Sequence, residues 1–134
     1  MPSLAVVDTN VLVSALLKPT SVPAMVADAL RRSVLVPVVC AQIMDEYRAV
    51  LIRPKLRLLA ADVDALLQLI GLQARWVQLT PYPVALRLPD PAEWPFIACA
   101  AAAQCPVITG NVKHSPAALG VQVLTVRGWV DPRG

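Results

Sequence analysis

LAVVDTNVLVSALL, residues 4–17, opens with four apolar residues, stops at Asp8-Thr9-Asn10 and resumes as a helical pattern. A short unbroken apolar run ended by polar residues reads as a strand buried on both faces. From Asn10 to Leu17, Val11, Ser14, Ala15 and Lys18 fall on one side of a helix, and Leu12, Ala15 and Leu16 on another. The unit is strand, acidic turn, helix.

The same alternation continues outward. Pro19 to Pro23 breaks the pattern, and Ser21 is expected to cap a second helix running through Arg32. Val34 to Val39 is apolar and β-branched, a second strand whose Pro37 predicts an irregular or edge position. Ala41 to Arg53 reads as a helix ended by Pro54, and Ala60 to Ala74 as another with Asp62 near its start. Trp76 to Leu79 is a short strand and Tyr82 to Pro91 a proline-rich loop. Phe96 to Gln104 is a small-residue helix, Val107–Ile108 a strand ending in Thr-Gly-Asn, and Val121 to Val126 a last strand. Strands alternating with helices imply an α/β fold: a mostly parallel central sheet with helices on both faces. Neither a repeat nor a linker divides the 134 residues, so 1–134 is expected to form one domain.

With 57% hydrophobic and 16% charged residues, the chain has the makings of a core and not of a disordered segment. A net charge of +3 is compatible with a polyanionic partner without identifying one. Cys40, Cys99 and Cys105 lack metal-ligand spacing and cannot all pair within the chain, which points to reduced thiols and a cytoplasmic location. Asp8 interrupts the first apolar run and no basic region precedes it, so no secretory signal is read. Pro95 to Ile108 is too short for a bilayer, and no membrane association is expected.

Ligands of such sheets bind beyond the carboxyl ends of the strands, where strand order reverses. Asp8-Thr9-Asn10 and Thr109-Gly110-Asn111 both follow strands at that edge. Asp8 therefore either faces a site or merely caps the next helix. On the Ala41–Arg53 helix, Cys40, Ile43, Tyr47, Val50 and Leu51 form the packed side. Asp45 points to water and Glu46 lies on the border, from which it either reaches a cleft or remains a solvated flank. Asp90-Pro91-Ala92-Glu93 matches a capping box, yet Pro95 argues for a helix that starts later, with both acids ahead of its amino end.

Four segments taken in order are recognisable: VVDTNVLVSALL around Asp8, IMDEYRAVLIRPKLR around Glu46, DPAEWPFIACAAA around Glu93, and VITGNVKH. Together, from about Leu4 to Val126, they resemble the PIN-domain family. The likeness is greatest to its branch of bacterial toxin–antitoxin toxins, the VapC-like ribonucleases. The resemblance implies a three-layer α/β/α PIN-like domain and a metal-dependent endoribonuclease. In it Asp8, Glu46 and Glu93 bind Mg2+ or Mn2+, and Asp90 matches an additional acid. The fourth acidic position holds Asn111, which brings an amide oxygen but no charge, and weaker binding at a second metal position is expected. Carboxylates about 4 Å apart repel by roughly 4 kcal/mol at an effective dielectric near 20, so several ionise together only around a cation. Magnesium suits such a set and can activate water for attack on phosphorus, with no serine or histidine nucleophile.

Asn10 and Ser14 are expected to support Asp8, and Thr109 to orient site groups. Lys113 and His114 either meet phosphate or form an exposed loop. Arg53, Lys55 and Arg57 are the densest basic cluster and a candidate contact for the RNA backbone. Trp94 either stacks a base or packs under its loop, and Trp76 and Trp129 are assigned to the core or an interface. The partners implied are RNA, a cognate antitoxin and a second copy in a homodimer. The alternative is a catalytically weakened PIN-fold module that binds RNA or a protein, with Asn111 as its motive. A small-molecule binder would want a glycine-rich phosphate loop, which is missing.

Overall fold

The computed structural model describes residues 2–79, 91–110 and 120–131. Strand β1 (Ser3–Val7) leads into helix α1 (Thr9–Leu17), followed by α2 (Ala24–Arg31), β2 (Leu35–Val39) and α3 (Ala41–Leu51). A 3-10 turn at Pro54–Leu56 precedes α4 (Ala60–Gln73) and β3 (Arg75–Trp76). A second 3-10 turn, Pro91–Glu93, runs into α5 (Trp94–Ala103), and β4 (Val107–Ile108), β5 (Val123–Leu124) and α6 (Val126–Val130) complete the order.

All five strands are parallel, in the order β3-β2-β1-β4-β5, with helices flanking the sheet in a three-layer α/β/α arrangement. The apolar runs account for this placement. Ala5, Val6 and Val7 of β1 and Leu35, Val38 and Val39 of β2 are almost wholly buried, as central strands covered on both faces must be. Helix α3 buries Ile43, Tyr47 and Leu51 at four-residue steps, and α4 buries Val63, Leu66, Leu67 and Ile70. The alanines and Cys99 of α5 let that helix lie close against β1 and β2. Among the described residues no helix is long and apolar enough to cross a membrane.

Several details depart from expectation. Pro37 is not at an edge, because β2 lies between β1 and β3 and Pro37 stands opposite Ala5. It is tolerated because β3 pairs only with Val38 and Val39, beyond the proline's missing N–H. Ser21 does not cap α2; its hydroxyl donates to the Lys18 carbonyl at 2.6 Å, and the helix starts after Pro23. The last strand is shorter than Val121–Val126. Thr125 ends it by accepting the Gly128 N–H at 2.9 Å, which opens α6 at Val126. Trp76 is outside the core, 54% exposed on edge strand β3, with its indole N–H on the Gly71 carbonyl. Trp129 packs half-buried against the core, and Trp94 is buried.

The order of strands locates the site. From β1 the chain moves to β2 and β3 on one side, then returns to place β4 and β5 on the other. The reversal lies between β1 and β4, whose ends are in register at Val7 and Ile108. Asp8 and Thr109 are the next residues.

Candidate active site

Asp8 occupies the N-cap position of α1 with extended backbone, φ −66° and ψ 144°, yet its side chain makes no capping bond. Its Oδ2 instead accepts the hydroxyl of Thr109 at 2.7 Å, across the switch between β1 and β4. Thr109 is fully buried and Asp8 half-buried, so this hydrogen bond to a carboxylate is partly sheltered from competing water. Such bonds contribute about 1.5–3 kcal/mol. Asp8 thus stands at the cap position without making a capping bond and instead spans the switch between β1 and β4.

Glu46 is half-buried on α3 and Asp45 beside it is exposed, as the helical wheel requires. Its Oε2 accepts the Thr9 hydroxyl at 2.5 Å. Among the described residues Glu46 makes no ion pair, and its neighbour Arg48 pairs with Asp64. The following residue, Tyr47, donates its phenol to the Val7 carbonyl at 2.6 Å. The two neighbours of Asp8 are therefore each tied to α3, Val7 to Tyr47 and Thr9 to Glu46.

Tyr47 also reports the local field. Burial pushes its phenol far above the ordinary value of 10.0, and the negative charges of Asp8 and then Glu46 push in the same direction. Both acids are near enough to act on one hydroxyl. Burial likewise raises the Cys99 thiol well above 9.0. Folding holds these protons, so the stability they contribute is complete below the ordinary values and is lost as pH climbs past them. The midpoint of urea unfolding should fall progressively above about pH 9, and Tyr47→Phe should flatten part of that fall. A midpoint unchanged from neutrality into strong alkali would contradict the burial of these groups.

Glu93 ends the second 3-10 turn at the head of α5, where it holds the N-cap position without a side-chain capping bond. Pro95 fits in the first turn of α5, where its missing N–H costs nothing, so the segment combines an early turn with a later helix. Glu93 is half-buried and its Oε2 is screened from solvent. One turn further on, Phe96 packs against Tyr47 with ring centroids 6.4 Å apart. Among the described residues no three Asp, Glu, His or Cys side chains converge tightly enough to form a metal cluster. The structure ties Glu46 to Thr9, the residue after Asp8, and sets Glu93 at the head of a helix packed on β1 and α3.

The supporting positions divide. Asn10 is exposed and reaches Gly110 rather than Asp8, accepting its N–H at 3.3 Å and so tying the turn after β4 to α1. Ser14 sits half-buried one turn along α1, with no side-chain hydrogen bond among the described residues. Arg53, Lys55 and Arg57 are all exposed, just beyond the end of α3. Asp90, Asn111, Lys113 and His114 lie outside the described residues. Sequence reasoning missed Thr9 and the polar role of Tyr47. A buried tyrosine whose hydroxyl needs a partner, beside a border glutamate, was the available signal.

The donor set suits a hard cation. Asp8 and Glu46 offer carboxylate oxygens, each with one oxygen taken by a threonine hydroxyl. Magnesium and manganese favour such oxygen ligands, and magnesium is commonly held by one or two carboxylates with water. A family model described as a PIN domain matches residues 5–113, from β1 past the turn after β4 and short of β5. No curated protein and no solved structure matches the chain.

Proposed function

Because the chain belongs to the PIN-domain family, whose members are generally nucleases, we propose that it is a metal-dependent endoribonuclease. We further propose that it is the toxin of a bacterial toxin–antitoxin pair, of the VapC-like kind, and that residues 1–134 work as one cytoplasmic domain. The observation that supports the nuclease reading is Asp8 at the switch point and Glu46 tied to the adjoining start of α1, each carboxylate accepting a threonine hydroxyl.

PIN-domain nucleases typically use divalent metal ions. Asp8 and Glu46 would hold Mg2+ or Mn2+, with Glu93 adding charge from the head of α5 and Asp90, three residues earlier in the chain, proposed as a further acid. Bound there, the cation would polarise a phosphoryl oxygen and offset the charge that develops during hydrolysis. Thr109 keeps Asp8 turned toward the site and Thr9 does the same for Glu46. Arg53, with Lys55 and Arg57, supplies cations for the RNA backbone from the segment just beyond the end of α3, the helix that carries Glu46. Lys113 and His114 add basic groups after the late strand. An antitoxin and a second copy of the chain are the proposed protein partners.

Asn111 supports a second reading, a PIN-fold module that binds RNA or a protein with weakened catalysis. One assay separates the two. The purified protein should cleave single-stranded RNA in Mn2+ or Mg2+ and stop when the metal is chelated. Asn111→Asp should raise the rate, about tenfold if the added charge is worth about 1.4 kcal/mol in the transition state. RNA retained intact at every metal concentration, by wild type and Asn111→Asp alike, would leave the binding module as the better account.

A further inference from the structure

We propose that Thr9 is a positioning residue that fixes the Glu46 carboxylate for cation binding, through a hydroxyl that the fold leaves no other use for. The inference rests on the metal-binding reading above. Thr9 is one of two buried threonines in the described structure, 6% exposed, and the other is Thr109. Each donates to one oxygen of one acid, Thr9 to Glu46 Oε2 and Thr109 to Asp8 Oδ2. The two threonines therefore act as a matched pair, one for each carboxylate.

The geometry gives Thr9 this role. It is the first residue of α1, directly after Asp8, so the backbone that sets Asp8 also sets Thr9. At the first helical position no carbonyl of a preceding helical turn competes for its proton. Its branched side chain has few rotamers, so the direction of Oγ1 follows from the start of the helix. Glu46 has three rotatable bonds and is half-buried; without a fixed donor its carboxylate would sample several orientations. A 2.5 Å bond is at the short end for a hydroxyl on a carboxylate, and it spans 37 residues of sequence. Among the described residues no hydrogen bond engages Glu46 Oε1 or Asp8 Oδ1, so each acid keeps one oxygen for a shared ion. Orienting groups behind metal ligands typically govern affinity by about 10–100-fold.

The test is titration calorimetry of the full chain with Mn2+ alone, with no RNA and no activity readout. Thr9→Val keeps the shape and removes the donor, and should weaken Mn2+ binding by about tenfold or more with the melting temperature maintained. Thr9→Ser returns the hydroxyl and should restore wild-type affinity. If Thr9→Val does not fold, Thr9→Ser and Thr9→Ala provide the same comparison, since they differ only by the hydroxyl. Equal Mn2+ affinity with and without the hydroxyl overturns the proposal while the metal reading stands. Wild type that takes no Mn2+, or Glu46→Gln that binds it as tightly as wild type, overturns the metal reading and the role of Thr9 with it.

Discussion

Asp8→Asn should lower metal-dependent RNA cleavage by about a thousandfold while leaving the fold in place. The size follows from what the residue supplies. A cation that offsets developing phosphoryl charge is worth several kcal/mol, and about 4 kcal/mol corresponds to roughly three orders of magnitude in rate. Asparagine keeps the length of the side chain and an oxygen to accept from Thr109, but it removes the charge that draws the cation. The part-buried bond between these positions, 2.7 Å in the wild type, has a neutral counterpart, so stability should change little. The measurement is single-turnover cleavage in Mn2+ together with circular dichroism of the same preparation. A variant that is folded and retains more than about a tenth of wild-type rate would show that Asp8 is only a structural residue.

Tyr47→Ala should produce the largest loss of stability among single substitutions at the site, about 4 kcal/mol in unfolding free energy. Tyr47 is fully buried and shares a tilted ring contact with Phe96, so truncation removes transfer energy and leaves a cavity between α3 and α5. It also removes the donor to the Val7 carbonyl. Against a total stability of about 5–15 kcal/mol, this brings the chain close to unfolding at ordinary temperature. Tyr47→Phe keeps the ring and loses only the hydrogen bond, and should cost about 1–2 kcal/mol. Denaturant titrations of the two variants measure both values. A Tyr47→Ala loss no greater than that of Tyr47→Phe would mean the ring is not packed as described.

The fold was legible where one element carries its own pattern. β1 and β2 are unbroken apolar runs, and α3 and α4 have helical spacing, so their existence and order follow from residues close together in the chain. The misreadings arose where a neighbour decides. Pro37 belongs to an interior strand because β3 is only two residues long, which nothing in LVPVV reveals. Val126 begins a helix because Thr125 caps it. That signal, a hydroxyl residue three positions before a glycine, is local and could have been used.

The site shows the same division. Asp8 and Glu46 could be singled out from strand end and helix border, but not resolved from a cap and a solvated flank. The bonds that engage them join Thr109 to Asp8 and Thr9 to Glu46, across 101 and 37 residues. Those contacts exist only once β1, β4 and α3 are assembled. Thr9 itself reads in sequence as an ordinary helix start, and its burial is a property of the packed chain.

On the proposed reading, Asp8 and Glu46 share a divalent cation at the carboxyl edge of β1. Crystals of the wild-type chain soaked in Mn2+ and measured for anomalous scattering test it most directly. The account requires a manganese peak in contact with both carboxylates, lost when Glu46 is replaced by glutamine. An ordered site with no peak at saturating Mn2+, or a peak bound by other residues alone, would contradict it.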